Sequence, residues 1–450
     1  MHFNLSPHTH AIPFNQSKRP RVQSKTLKRL LLFVLTTIII LLSAGRAFPS
    51  LGRTQQADVK EGEVVIYEEG THDEVVGAIA ASLAVIGVKP LFNCHFRQKF
   101  QDVLTEVLGY ELNLENPHGE HRPIDRRIAE DSIGVLILTT CYDSLRRMQT
   151  QILASSMHVV CVVHHSGGAM YTNIKPLIQT LAQQNRVTLL VLGEHIKRSA
   201  QADVFDWAEQ EMSAAWANLP IESLSPVFDY PALSQRPEPS VWPSRAIVQG
   251  NIEHGRRNYN KLFSGLRTAM LKSPALWGYT SQGPDLPLVP NPDDSPFTLN
   301  LVGQTNPDSP VEIPVELTNV VSIHSSLPYS EFYKFMAEAD IMIPAFAQRG
   351  NYEETSSSSI AAAVITRIPV LASDRHLMAY TYISGPAQVR KPIATSDADA
   401  IAEMRSRGAR LRDKDAVWRK YQAGVIRENA EVWLRVLARF QGDVLRGRRD

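Results

Sequence analysis

NVVSIHSSLPYSEFYKFMAEADIMIPAFAQRGNYEETSSSSIAAAVITRIPVLASD, residues Asn319–Asp374, alternates short apolar runs with segments of helical spacing. Val320–Ile323 is short and β-branched. Tyr329–Ala339 carries Phe332, Phe335, Met336 and Ala339 at helical spacing, and Ile341–Ile343 is a brief apolar strand stopped by Pro344. A polar loop then ends in Thr355 and four serines, directly before the helical run Ile360–Ile365, and Pro369–Ala372 reads as another buried strand. Strands alternating with helices predict a parallel sheet whose ligands sit at the strand C-termini. Serine hydroxyls and backbone N–H groups at a helix start, reinforced by the helix dipole, suit a phosphate. The same serines also read as a plain N-cap and loop end, and both readings stand.

A strand at Ala246–Gly250 precedes this stretch and leads into a helix predicted over Arg256–Lys272. A surface loop follows at Gly283–Pro296, then a strand at Phe297–Gly303. Downstream come a short helix at Asp397–Ser406 and a long amphipathic one over Asp415–Arg446. Upstream, PALSQRPEPSVWPS (Pro231–Ser244) holds four prolines and reads as an extended linker. Before it lies another strand–helix series. Gly62–Gly70, Pro90–His95, Ile133–Thr139, His158–His164 and Val187–Leu192 are strands, with helices at His72–Gly87, Phe100–Leu108, Ser144–Ser155, Ile174–Gln184 and Ala202–Ala217. IGVLILT and HVVCVVH are continuous apolar runs, as central parallel strands covered on both faces require. The form of Ile221–Tyr230 stays open. The expected architecture is α/β: two doubly wound, Rossmann-like domains, 62–230 and 245–450, joined by the linker 231–244 and facing a cleft.

The composition agrees with a globular chain of two domains: 450 residues, 44% hydrophobic and 21% charged. A net charge of +1 gives no bulk electrostatic case for nucleic acid as a partner. Cys94, Cys141 and Cys161 are an odd set in or beside predicted strands, so they read as buried thiols acting as small hydrophobes. No spacing suggests a metal site. Asp397-Ala398-Asp399 follows no apolar strand and reads as a helix cap.

At the N-terminus, residues 1–29 are polar and end in a basic cluster from Lys18 to Arg29. The uncharged run LLLFVLTTIIILLSAG (Leu30–Gly45) spans roughly 24 Å as a helix, against a hydrocarbon core of roughly 30 Å. Snorkelling of Lys28 and Arg29 and a thin early-secretory bilayer would accommodate it. Residues 30–47 are therefore read as a signal-anchor transmembrane helix, with 1–29 cytosolic, 48–61 a stem and the remainder lumenal. The competing reading is a cleaved signal peptide ending at Ser43-Ala44-Gly45. Both Asn-x-Ser/Thr sequons, at Asn4 and Asn15, lie before the apolar run.

The ordered series Val248-Gln249-Gly250-Asn251 with Arg256-Arg257, Leu301-Val302-Gly303, Tyr333…Ala339-Asp340-Ile341…Pro344 and Ser356–Ile360 through Pro369–Ala372 resembles the GT-B glycosyltransferases. The likeness is to the C-terminal domain of glycosyltransferase families 1 and 4, and the anchor with a stem resembles type II enzymes of the Golgi and endoplasmic reticulum. The resemblance implies an acceptor domain at 62–230 and a nucleotide-sugar donor domain at 245–450. It also implies donor contacts from Gly250, Asn251, Arg256, Arg257, Gly303, Glu353, Glu354, Ser356, Ser357, Ser358 and Ser359. Guanidinium groups at that position grip a diphosphate and stabilise the leaving nucleotide; a solvated basic turn is the bland alternative. Glu353 and Glu354 read equally as partners of sugar hydroxyls or as surface carboxylates.

One departure is plain. Retaining family 4 enzymes carry a second Glu seven residues before the proline of the Pro-Val strand, and here that residue is Ala362. On the acceptor side, His164 and His165 end a buried strand and are the catalytic candidates, as base or hydrogen-bond partner, against a structural role. Glu69, Gly70, Thr71 and His72 should line the cleft, with His72 and Asp73 as weaker base candidates. The expected reaction moves a sugar from a nucleotide-sugar to a glycan, lipid or protein, with no metal and no cofactor beyond that co-substrate. The alternative is a catalytically silent, membrane-anchored GT-B-like binding or assembly subunit. A sugar-nucleotide epimerase is disfavoured, since it has no need of an anchor.

Overall fold

The computed structural model describes residues 64–115, 122–165, 169–235, 243–348, 353–408 and 415–447 of the chain. The expected tail 1–29, membrane span 30–47 and stem 48–61 lie outside them. Among the described residues no helix is long and apolar enough to cross a membrane.

Two parallel six-stranded sheets organise the described chain. The first contains β1 (Val64–Glu68), β2 (Leu91–Cys94), β3 (Val135–Leu138), β4 (His158–Val163), β5 (Val187–Val191) and β6 (Ile221–Ser223), in the order β2-β1-β3-β4-β5-β6. Leu114 adds a single parallel bridge to Phe92 at the outer edge. The second sheet contains β7 (Arg245–Gln249), β10 (Thr298–Gly303), β11 (Val321–Ser325), β12 (Ile341–Met342), β13 (Val370–Ala372) and β14 (Gln388–Arg390), in the order β11-β10-β7-β12-β13-β14. A small antiparallel pair, β8 (Tyr279–Thr280) with β9 (Val289–Pro290), lies between β7 and β10 in sequence. The strand order reverses between β1 and β3 in the first sheet and between β7 and β12 in the second, which is where α/β sheets open a crevice for ligands.

Both faces of each sheet are covered. In β1, Val64 and Ile66 belong to one core, while Val65 and Tyr67 point into another with Leu136, Leu138 and Val159. The first of these cores runs on into the second domain through Ile247, Met342 and Val370. The flanking helices relevant to the site are α1 (Asp73–Val85), α4 (Cys141–Arg147), α9 (Tyr259–Lys272), α10 (Tyr329–Ala337) and α11 (Ser358–Ile365), together with α2 (Phe100–Leu108), α3 (Arg122–Ala129), α5 (Gln149–Ala154), α6 (Ala169–Gln183), α7 (Glu194–Glu211), α8 (Ala214–Ala217), α12 (Asp374–Ala379) and α13 (Asp397–Arg407). The last, α14 (Asp415–Gly447), clasps both domains. Its Gln422 side chain donates to the carbonyls of Val364 and Ile365. Further along, Asn429 brackets the backbone of Ser225, the Trp433 indole donates to Ser82 Oγ at 3.0 Å, and Arg435 and Arg439 pair with Glu222.

Four expectations need correction. The helix expected over Ala202–Ala217 begins eight residues earlier and is two helices, α7 (Glu194–Glu211) and α8 (Ala214–Ala217). The helix expected over Ser144–Ser155 is two helices, α4 and α5, with Met148 between them. The helix expected from Arg256 starts at Tyr259, because the Asn258 side chain accepts the Lys261 amide as its cap; Arg256 and Arg257 stand in the preceding loop. The cysteines are not three thiols: Cys141 and Cys161 form a buried disulfide. The parallel pairing of β3 with β4 brings the start of α4 alongside β4, with Cα atoms 5.1 Å apart, and only Cys94 is a free buried thiol. The segment left open at Ile221–Tyr230 is the edge strand β6 followed by irregular chain.

Candidate active site

The second-domain wall of the crevice is built by two strand ends that nearly touch. Strand β7 runs directly into Gly250 (φ +127°), and its neighbour β10 ends at Gly303 (φ +154°). A Cβ at Gly303 would lie 1.9 Å from the Gly250 carbonyl oxygen, and one at Gly250 would lie 2.5 Å from Arg257 Nη2. Only glycine permits this approach. Into the space so created turns the Arg257 side chain, with the residue only 6% exposed. Its Nη2 donates to the Gln249 carbonyl at 2.7 Å and to Ser359 Oγ at 2.6 Å, and its Nη1 to the Arg256 carbonyl at 3.1 Å. The guanidinium carbon lies 5.0 Å from the Phe346 ring centre. No carboxylate pairs with Arg257 among the described residues, and its buried Nε has no hydrogen-bond partner. Burial lowers its pKa from the ordinary arginine value, yet an arginine stays charged in proteins. A buried cation without a counter-charge is costly, and an anion entering the cleft would relieve that cost.

Beside it, α11 begins. Ser357 is its extended N-cap, and no side chain caps the helix. The first amides of a helix have no intrahelical acceptor. Ser359 is buried behind the serine run, where its hydroxyl accepts from Arg257 and donates to the Gln249 carbonyl at 2.8 Å. One hydroxyl thus fixes the helix start against both the strand end and the guanidinium.

The first-domain wall starts at Glu68, the last residue of β1 and 2% exposed. Its carboxylate accepts from the Thr71 amide and hydroxyl, at 2.7 and 2.9 Å, and from the hydroxyls of Thr139 and Thr140. Burial pushes the Glu68 carboxyl up, but these donors and the adjacent His72 outweigh it and leave its pKa below the ordinary value. His72 stacks on His164 with ring centres 3.7 Å apart. Burial, and then repulsion from His164, drive His72 down to about 3, and burial lowers His164 as well.

Between the walls is a cavity of about 780 Å³. Of the sequence-derived candidates, Gly250, Asn251, Arg256, Arg257, Gly303, Glu354, Ser356, Ser357, Ser358, Thr71 and His165 line it. Arg256 is more exposed and pairs with Glu253 at 2.9 Å. His165 meets the opposite domain, its Nδ1 lying 2.8 Å from Thr355 Oγ and 3.0 Å from the Glu354 carbonyl, while the Ser356 amide donates to the His164 carbonyl.

The remaining candidates stand off the cavity. His164 Nε2 lies 2.6 Å from the Thr139 carbonyl, under the first-domain wall. Glu69 turns away to accept from Ser144 and, bidentately, from Arg147. Gly70 (φ +95°) is a tight turn against His95. Glu353 is exposed. Asp73 is buried and paired with Arg97 at 3.0 Å. Asp397 and Asp399 start α13, where Ser396 caps the Asp399 amide.

Sequence reading missed several lining residues: Glu74, Arg97 and Gln98 from the first domain, and His324, Tyr329 and Phe332 from the second. Glu74 sits in the first turn of α1, only two residues past His72, and a strand-to-helix loop marks that turn as a candidate. Which of its side chains faces the cleft is set by how α1 docks. Ala362 also lines the cavity, at the position where the resemblance implies a Glu.

No known protein family matches the sequence, and no curated protein matches it. Among solved structures the chain is similar to Alr3699/HepE of Anabaena, solved with UDP and glucose (11% identity over 82% of this chain and 98% of that one, TM-score 0.49). It is also similar to a glycosyltransferase of Rickettsia africae (10%, covering 85% and 99%, TM-score 0.48) and to the α,α-trehalose 6-phosphate synthase of Burkholderia multivorans (9%, covering 86% and 100%, TM-score 0.46). Likeness at this level concerns the path of the chain alone, and the functional reading rests on the site itself.

Proposed function

We propose that this protein is a GT-B-type glycosyltransferase that moves a sugar from a nucleotide-sugar donor to a glycan, lipid or protein acceptor, with no metal ion. One observation carries the reading: Arg257 is a buried, carboxylate-free guanidinium at the crevice of the second sheet, fixed by Ser359 beside the start of α11. Its position suits a donor diphosphate. When the bond to the sugar breaks, negative charge grows on the leaving phosphate, and a pre-oriented guanidinium with helix-terminal amides stabilises it without reorganising. The site would then supply through Arg257 and α11 the neutralisation that a metal provides elsewhere.

The buried Cys141–Cys161 disulfide favours folding in an oxidising compartment, which fits a lumenal domain behind an anchor at 30–47 in the Golgi or endoplasmic reticulum membrane. A second reading, a silent GT-B-like binding subunit, is favoured by Ala362, an apolar residue in the cavity where a donor-binding carboxylate is implied.

Ligand-dependent melting separates the two. UDP, GDP or CMP, added without metal, should raise the melting temperature of the protein by mass action, and Arg257→Ala should abolish the rise while remaining folded. A transferase should also turn over the matching nucleotide-sugar. Binding without turnover points to the silent subunit, and no shift with any nucleotide overturns the donor site.

A further inference from the structure

We propose that Glu74 is the catalytic base, taking the proton of the acceptor hydroxyl so that the transfer inverts the anomeric centre. This rests on the transferase reading above and names the group that would act opposite the phosphate site.

Glu74, Arg97 and His165 are the titratable groups that line the first-domain side of the cavity. Arg97 is a cation held by Asp73 at 3.0 Å and by the Thr71 carbonyl at 2.7 Å. The His165 Nδ1 is engaged with the Glu354–Thr355 segment and ties the domains together. The stacked pair His72 and His164 does not line the cavity. Other carboxylates nearby are committed. Glu68 accepts from three threonines, which stabilise its anion and make it a weak base. Asp73 is locked to Arg97 and Glu69 to Arg147. Glu354 lines the cavity from the donor side, beside the α11 start that would hold phosphate. Glu74 is the carboxylate that lines the cavity from the first domain.

Its surroundings suit the task. Burial, and then the negative charge of Asp73, raise the Glu74 carboxyl to about 7, with Arg97 opposing and Glu68 reinforcing the shift. Tyr329 and Tyr333 of α10 face it from the second domain, both with pKa values raised by burial and by the carboxylates of Glu74 and Asp73. A base works best when its pKa lies near the working pH.

The step balances. The acceptor O–H gives its proton to the Glu74 carboxylate, and the oxygen lone pair forms the new bond to the anomeric carbon. The bond from that carbon to the donor phosphate breaks, and its electron pair leaves on the nucleoside diphosphate, toward Arg257 and the α11 amides. Attack from the side opposite the leaving group inverts the configuration.

The test compares the full chain with Glu74→Gln, which keeps the shape and loses the base. Three readouts are combined: melting shifts with UDP and GDP, hydrolysis of UDP-glucose, UDP-N-acetylglucosamine and GDP-mannose with water as acceptor, and carboxyl titration by NMR with 13C-labelled glutamate. We expect nucleotide shifts equal in both proteins. Hydrolysis should fall about 10²- to 10⁴-fold in Glu74→Gln, losing its rise through pH 7, and the wild type should release the inverted anomer. One carboxyl signal titrating near pH 7 should vanish in the variant. Nucleotide shifts with unchanged hydrolysis in Glu74→Gln, or a retained anomer, overturn the role of Glu74 and leave the transferase reading intact. Absent nucleotide shifts overturn the transferase reading itself. If no probe is hydrolysed, the titration decides: a Glu74 carboxyl in the ordinary range near pH 4 removes the base.

Discussion

Arg257 Nη2 and Ser359 Oγ are 2.6 Å apart although 102 residues separate them in sequence, and both bond the same Gln249 carbonyl. This three-way contact joins the end of β7, the loop before α9 and the start of α11 at one point. A cation buried there can face the cleft only because Gly250 and Gly303 have no side chains.

Gly303→Ala therefore tests the packing beneath the site. The added methyl would meet the Gly250 carbonyl oxygen at 1.9 Å, in a backbone conformation that L-residues rarely adopt. We expect a loss of about 3 kcal/mol or more in denaturant unfolding. Gly255→Ala, whose Cβ would meet nothing within 4 Å, is the control and should change little.

The disulfide makes a second prediction. Cys141 and Cys161 close a short loop, 20 residues apart in sequence, and a bond of that span stabilises by about 3 kcal/mol in the chain-entropy treatment. Peptide mapping under non-reducing conditions should recover the two cysteines linked, with Cys94 free. Cys161→Ala should melt several degrees lower. Two free thiols at these positions in protein folded under oxidising conditions would contradict the structure.

Acid should destabilise the fold through its neutral histidines. Burial lowers His158, His195 and His376 to about 4 each, from 6.5. Between pH 6.5 and 4 the unfolded chain binds protons that the folded one does not, so stability rises with pH across that window and is lost as pH falls. Glu74 acts with the opposite sign: its folded pKa of about 7 exceeds the unfolded value of 4.5, so its contribution declines as pH rises from 4.5 to 7. Melting temperature against pH should thus show Glu74→Gln above wild type at pH 8, with the two converging below pH 4.5. Parallel curves would show that Glu74 is not desolvated.

Much of this was legible in the sequence, for physical reasons. Strands such as Val135–Leu138 and His158–Val163 are buried on both faces, so their apolar runs are unbroken and stand out. Arg257 follows a strand-end glycine and precedes a helix, and the serine run opens a helix, both local patterns. What depends on docking was not legible. Arg256 and Arg257 are neighbours of one residue type, yet one is 63% exposed at its side chain and paired with Glu253 while the other is buried. His72, Asp73 and Glu74 share one turn, and only the packing of α1 selects Glu74 for the cavity. The disulfide needs β4 beside β3, a pairing that cysteine counting does not contain. The clasp of α14 on the first domain, through Asn429 and Trp433, is equally a product of tertiary placement.

The most direct measurement is calorimetric titration of UDP, GDP and CMP into the full chain and into Arg257→Gln, without metal and with folding checked by circular dichroism. The account predicts that one nucleotide binds the wild type and that Arg257→Gln weakens it about 10- to 100-fold, the worth of charge-assisted hydrogen bonds to phosphate. Equal binding by both proteins, or no binding by a folded wild type, would contradict it.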